Sequence, residues 1–104
     1  MSNQVRFGPE AIAELSDALR WYEQRRAGLG LALLSAVDAA VKSVTRWPRS
    51  GALVVGLEAL DVRRVPVSSF PYHVAYLIVD EQIEVLAIAH DRRRPIYWSD
   101  RVSR

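Results

Sequence analysis

Two apolar runs, YHVAYLIV (72–79) and IEVLAIAH (83–90), constrain the fold more than any other feature of this chain. Both are rich in β-branched and aromatic residues, and both are apolar at odd and even positions alike. A strand of that kind must be covered on two faces, which makes it a central strand. Only DEQ separates the two runs, so they pair as antiparallel neighbours. A third β-rich run, VRRVPV (62–67), precedes them across SSFP and extends the sheet.

A sheet with apolar faces needs a covering layer, and the N-terminal half supplies one. After a short strand candidate, QVRF (4–7), Pro9 stands at a first helical position with Glu10 in the first turn, where the helix dipole favours an acid. Ile12, Leu15, Leu19 and Tyr22 then recur at spacings of three and four, an amphipathic stripe that leaves Glu14, Asp17 and Arg20 on other faces. RRAGLG breaks this helix. A second stripe follows in Leu34, Val37, Val41 and Val44, and WPRSG stops it, because Pro48 cannot continue a helix. The segment ALVVGLEAL (52–60) reads equally as a loop, a short strand or a docking segment. The order β-α-α-β-β-β predicts an α+β fold, a helical hairpin packed on a mainly antiparallel sheet. Leu15, Leu19, Val37, Val41, Val74, Tyr76, Val85 and Leu86 are its expected core.

Composition narrows the function. A chain of 104 residues suits one domain over 1–104, and it shows no internal repeat. With no cysteine, disulfides and thiolate metal sites are excluded, and the two histidines, His73 and His90, lack a third ligand. No metal and no cofactor are expected: there is no glycine-rich phosphate loop and no serine-triad signature. The N-terminus lacks the layout of a signal peptide, and no apolar run approaches the roughly 20 residues needed to span a bilayer, so a soluble cytoplasmic protein is expected, with no membrane partner. Net charge is only +2, but after His90 the residues Arg92, Arg93, Arg94, Arg101 and Arg104 face only Asp91 and Asp100. That basic tail suits phosphate or an acidic protein surface, or is simply a solvated turn.

With WYE in the first helix, GLG opening the second, VRR on a strand, FPYHVAY on the next and VLAIAHDRRRPIYW at the end, the chain resembles the RelE/ParE superfamily of type II toxin–antitoxin toxins over nearly its whole length. GLG and FPY lean towards the ParE-like branch. The resemblance implies a bacterial toxin silenced by a cognate antitoxin in a hetero-oligomer. ParE-like members poison DNA gyrase by binding it, and RelE-like members are metal-independent endoribonucleases that cleave mRNA on the ribosome. A small binding module without toxicity is the third reading.

Metal-free RNA cleavage needs a base, a cation for the crowded phosphate and an acid for the leaving oxygen. By resemblance, the candidate catalytic residues of the ribonuclease reading are Arg63, Arg64, His90 and Tyr97. His73 stands where ribonuclease members carry an arginine, and a neutral imidazole does not replace an always-charged guanidinium. Arg63 and Arg64 point to opposite faces of their strand, so at most one looks into any one site. Under the gyrase reading the target-binding candidates are Arg92, Arg93, Arg94 and Trp98, although Tyr97 and Trp98 also suit packing of the tail onto the sheet. Leu53, Val54, Val55 and Leu57 are candidates for antitoxin binding, or else fold onto the domain's own core.

Overall fold

The computed structural model describes residues 4–103. Arg104, counted above with the basic tail, lies outside them. The elements are β1 (Val5–Phe7), α1 (Pro9–Arg25), α2 (Leu29–Arg46), β2 (Ala52–Leu53), β3 (Val62–Pro66), β4 (Tyr72–Val79) and β5 (Gln82–His90), with 3₁₀ turns at Glu58–Leu60 and Ser99–Ser103. The five strands form one sheet in the order β1-β5-β4-β3-β2, with β4 and β5 inside it as expected. β1 runs parallel to β5 and every other pair is antiparallel. The β4–β5 hairpin closes through Asp80 and Glu81, both with positive φ (50° and 64°), as a two-residue hairpin turn that follows the sheet twist requires.

The double-sided apolarity of the central strands has two different covers. On one face α1 and α2 pack Ala11, Ala18, Leu33 and Val37 against Val67, Val74, Val85 and Ile88. On the other, no α-helix packs among the described residues. Val54 from the turn after β2 and Trp98 from the C-terminal tail close over Val62, Ala75, Ala87 and Ala89. Alanines on the strands leave the room that the indole of Trp98 fills.

The helical stripes are shifted from their expected register. On α1 the fully buried positions are Ala11 and Ala18, with Leu15, Leu19 and Tyr22 partly buried against them, while Ile12 is 55 % exposed. Glu14, three residues after Ala11 and four before Ala18, therefore belongs to the sheet-facing side and not to an outer face. On α2 the buried line runs through Leu33, Val37 and Val44, with Ala40 and Val41 packed beside it and Leu34 at the exposed flank. Small alanines at the closest approach let the helices sit low on the sheet, and that moves the larger side chains to the edges of the contact.

The WYE and GLG pieces have a shared physical basis. The Glu23 carboxylate accepts from the backbone N–H groups of Gly28 (3.0 Å) and Gly30 (2.9 Å), satisfying orphan donors at the start of α2 from the preceding helix. Gly28 has φ +94°, and a Cβ on Gly30 would lie 2.9 Å from the Leu19 carbonyl oxygen, so the close helix crossing requires glycine there. At the other end of α2, the Tyr76 hydroxyl donates to the Pro48 carbonyl (2.6 Å) and accepts from the Gly51 N–H (3.2 Å). Arg63 donates to the carbonyls of Arg49 and Gly51 at 2.9 Å each, and pairs with Asp61 at 3.0 Å. These two side chains fasten the α2–β2 connection.

Candidate functional site

β5 delivers His90 to the rim of the sheet, and the chain turns there through Asp91–Arg94 before Pro95 and Ile96 lead into the tail. His90 Nδ1 accepts from the Arg92 backbone N–H at 3.1 Å, and the ring lies edge-to-face on Tyr72 at 5.0 Å. His73, beside it on β4, is held by Asp91 at 2.9 Å. That contact ties the imidazole at the position where a guanidinium was expected by resemblance.

The tail returns across the edge of β5 and is locked by one carboxylate. Glu14 accepts from the Tyr97 hydroxyl (2.6 Å), from Arg101 Nη1 (3.0 Å) and Nη2 (3.1 Å), and from the Ile88 backbone N–H (3.1 Å). Arg101 Nη1 also donates to the Leu86 carbonyl at 2.9 Å. β1 pairs with β5 only as far as Val85, so this pair of side chains occupies the backbone groups of β5 beyond it. The Tyr97 ring lies under the Arg93 guanidinium at 4.0 Å, with Arg101 5.3 Å from its centroid. Burial, followed by the hydrogen bond to Glu14, pushes the Tyr97 phenol well above its ordinary pKa despite the two arginines.

Of the catalytic candidates, Arg64, His90 and Tyr97 share a small pocket of about 90 Å³ with His73, Arg93 and Arg94. Arg63 is not among them: it pairs with Tyr76 across β3 and β4 and is committed to the backbone of 49–51. Arg92, Arg93 and Arg94 are all exposed. Trp98 is 1 % exposed and supports this surface from beneath. Around β2, Leu53 and Val55 are exposed (44 % and 82 %), whereas Val54 is buried at 5 % and Leu57 packs beside it under the tail. The segment is thus both a short edge strand and a lid on the core. Among the described residues no three histidine or acidic side chains gather as a metal site, and no helix is long and apolar enough to cross a membrane.

Sequence reasoning missed Glu14, whose hydrogen-bond partners lie 74 to 87 residues away. The signal was its spacing from Ala11 and Ala18, which puts an acid on the buried side of a helix, where it must find donors.

The fold is shared with solved toxin structures. The chain superposes on a chain of the chromosomal ParDE toxin–antitoxin system from P. aeruginosa with a TM-score of 0.71 at 18 % identity, covering 86 % of this chain and 96 % of that one. A double-arginine mutant of the E. coli toxin RelE in the free state gives 0.65 at 19 % identity, covering 88 % and 86 %. No curated protein sequence matches. The sequence model described as "ParE toxin of type II toxin-antitoxin system, parDE" matches residues 5–95, from the start of β1 to the turn beyond β5. This chain therefore belongs to the ParE toxin family of type II toxin–antitoxin systems.

Proposed function

We propose that the chain acts in the cytoplasm as a gyrase poison, binding DNA gyrase through the surface built on Arg92, Arg93 and Arg94, and that its cognate antitoxin covers the exposed apolar residues around β2. The observation that carries this reading is the engagement of Tyr97. Its proton is donated to Glu14 and its ring is packed under Arg93, so the group that a nuclease would use as an acid is a structural anchor here. Arg63, spent on the opposite side of β3, withdraws one of the candidate cations as well. What remains at the rim is a set of solvent-facing guanidinium groups on a rigid support, which suits a contact surface better than a reaction centre.

A second reading has one observation in its favour: Arg64, His73 and His90 line a single pocket with Arg93 and Arg94, and such a pocket fits a phosphodiester. Under this reading the chain is a RelE-like mRNA endoribonuclease.

Supercoiling of plasmid DNA by purified gyrase separates the two. A gyrase poison blocks the reaction, keeps that activity in His90→Ala and Tyr97→Phe, and loses it when Arg92, Arg93 and Arg94 are all replaced by alanine. A ribonuclease leaves supercoiling untouched, cuts translated mRNA at discrete sites, and loses about 10²–10⁴-fold in rate when its acid or base is removed. The second outcome overturns the gyrase reading, and full toxicity of the triple arginine variant overturns the role of the arginine cluster under both readings. Toxicity in neither assay leaves a binding module.

A further inference from the structure

The three arginines at the rim are not equivalent. Arg92 and Arg94 are exposed, and among the described residues their side chains make no hydrogen bond, ion pair or ring contact. The Arg93 guanidinium, by contrast, lies 4.0 Å from the centroid of the Tyr97 ring. Its backbone is fixed as well, since the Arg93 N–H donates to the His90 carbonyl at 3.0 Å. No carboxylate pairs with it among the described residues, unlike Arg63, which has Asp61, and Arg101, which has Glu14. Arg93 is a cation held in place with its charge and its side-chain N–H donors still free.

The ring that holds it is anchored in turn. Its hydroxyl donates to Glu14 on α1 at 2.6 Å, and the next residue, Trp98, is buried against the sheet alanines. A turn brings ring and guanidinium together: the Tyr97 N–H donates to the Arg94 carbonyl at 3.2 Å across Pro95 and Ile96, and Ile96 has φ +48°. A β-branched residue is disfavoured in that region and stays there only where the contacts around it hold it. Arg25 stacks on Trp21 at 4.1 Å in a similar way, but that indole is 49 % exposed and has no hydrogen-bonded anchor among the described residues.

We propose that Arg93 is the principal contact of the target-binding surface and that Tyr97, through its ring, is the residue that positions it. The proposal rests on the gyrase reading and says which of the three guanidinium groups carries the contact. A free arginine loses rotamer freedom when a partner orders it, and that loss lowers the affinity. Arg93 has lost that freedom already, on folding. Binding energy at protein interfaces concentrates in a few such residues, among which arginine is over-represented. With one face of its plane on the ring, Arg93 keeps its edge donors for the partner, and the group that matches them is a carboxylate accepting two parallel N–H bonds. The surface that fits Arg93 is therefore an acidic one on the target protein.

Tyr97→Phe and Tyr97→Leu both remove the bond to Glu14, so a difference between them belongs to the ring. The readout is the concentration of the full chain that halves supercoiling by purified gyrase. Relative to Tyr97→Phe, Tyr97→Leu raises it roughly 2- to 10-fold, the cost of ordering one long side chain at an interface. Arg93→Ala raises it about 30-fold or more, and Arg92→Ala and Arg94→Ala each by less than about 5-fold. In an Arg93→Ala background the Phe and Leu variants become equal, while in an Arg92→Ala background they still differ, a dependence that a ring with only a structural role does not produce. In the free chain, the Arg93 Nε–H proton resonates upfield under the ring current, and it moves downfield in Tyr97→Leu but not in Tyr97→Phe. Circular dichroism melts establish that each variant is folded; if Tyr97→Leu is not, the single arginine variants and the Arg93 resonance of the unaltered chain decide. Equal losses from the three arginine variants, a Leu deficit that persists without Arg93, or an unshifted Arg93 resonance overturns the proposal and leaves the gyrase reading standing. A chain that does not inhibit supercoiling at all overturns both.

Discussion

The Tyr97 hydroxyl donates to Glu14 Oε2 at 2.6 Å, joining the C-terminal tail to the first helix across the edge of the sheet. Arg101 reaches the same carboxylate from the next turn of the tail, with side chains only 14 % (Arg101) and 18 % (Glu14) exposed. Removing Glu14 therefore strands a guanidinium, a phenol and the Ile88 N–H together. Glu14→Ala is expected to cost about 2–4 kcal/mol, and Tyr97→Phe about 1 kcal/mol, in urea unfolding. A double-mutant cycle between Glu14 and Arg101 should return a coupling of roughly 1–3 kcal/mol. Additive effects would mean that the Glu14–Arg101 pair contributes nothing to holding the tail.

Alkaline pH should loosen the same latch. Burial is the largest cause raising the phenols of Tyr72, Tyr76 and Tyr97, and for Tyr97 the bond to Glu14 adds to it. A raised phenol pKa means that above the ordinary value, about 10, the unfolded chain loses protons that the folded chain keeps. The stabilisation is complete below that pH and is lost as pH rises through the folded values. Stability measured by urea unfolding should fall from about pH 10 upward, and less steeply in Tyr97→Phe. An identical fall in the variant would show that Tyr97 does not couple to folding.

The hairpin between the helices makes a separate prediction about glycine. Gly28 has positive φ but open space around it, so Gly28→Ala carries backbone strain alone, about 1 kcal/mol. At Gly30 the new Cβ would sit 2.9 Å from the Leu19 carbonyl and 3.0 Å from Glu23 Oε1. Gly30→Ala must push the helices apart and should cost about 1–3 kcal/mol. Glu23→Ala, which frees two N–H groups, should cost about 1 kcal/mol. Thermal melts of the three variants rank them, and a harmless Gly30→Ala would contradict the crossing geometry.

The central strands were legible because burial on two faces writes itself into both parities of a run, as in 74–79 and 85–89. The helices were legible for the same reason at a different period, yet their register was not, since Ala11 and Ala18 carry little hydrophobic weight beside Ile12 and Leu19. Strand parity separated Arg63 from Arg64 correctly, and only the fold could say that Arg63 turns to the α2–β2 connection. The two-residue β2 is too short to show any period. Glu14 stayed hidden because its partners come from β5 and the tail, and no local pattern announces a contact made across that distance.

The segment around β2 gives the last prediction. The Val54 N–H is turned inward to the Val62 carbonyl at 2.9 Å, so by strand alternation the N–H of Leu53 faces outward from the sheet edge. Leu53 and Val55 are also the exposed side chains, while Val54 and Leu57 serve the domain's own core. An antitoxin strand or helix docking here would slow hydrogen exchange at 53 and 55 and change little at 54, which is already bonded. Val55→Asp, at a position 82 % exposed, should leave the melting temperature nearly unchanged while weakening antitoxin binding. Measured on the toxin with the product of its neighbouring gene, unchanged exchange together with an unchanged affinity of Val55→Asp would remove this edge from the interface and confine 52–60 to its role as a lid on the domain's own core.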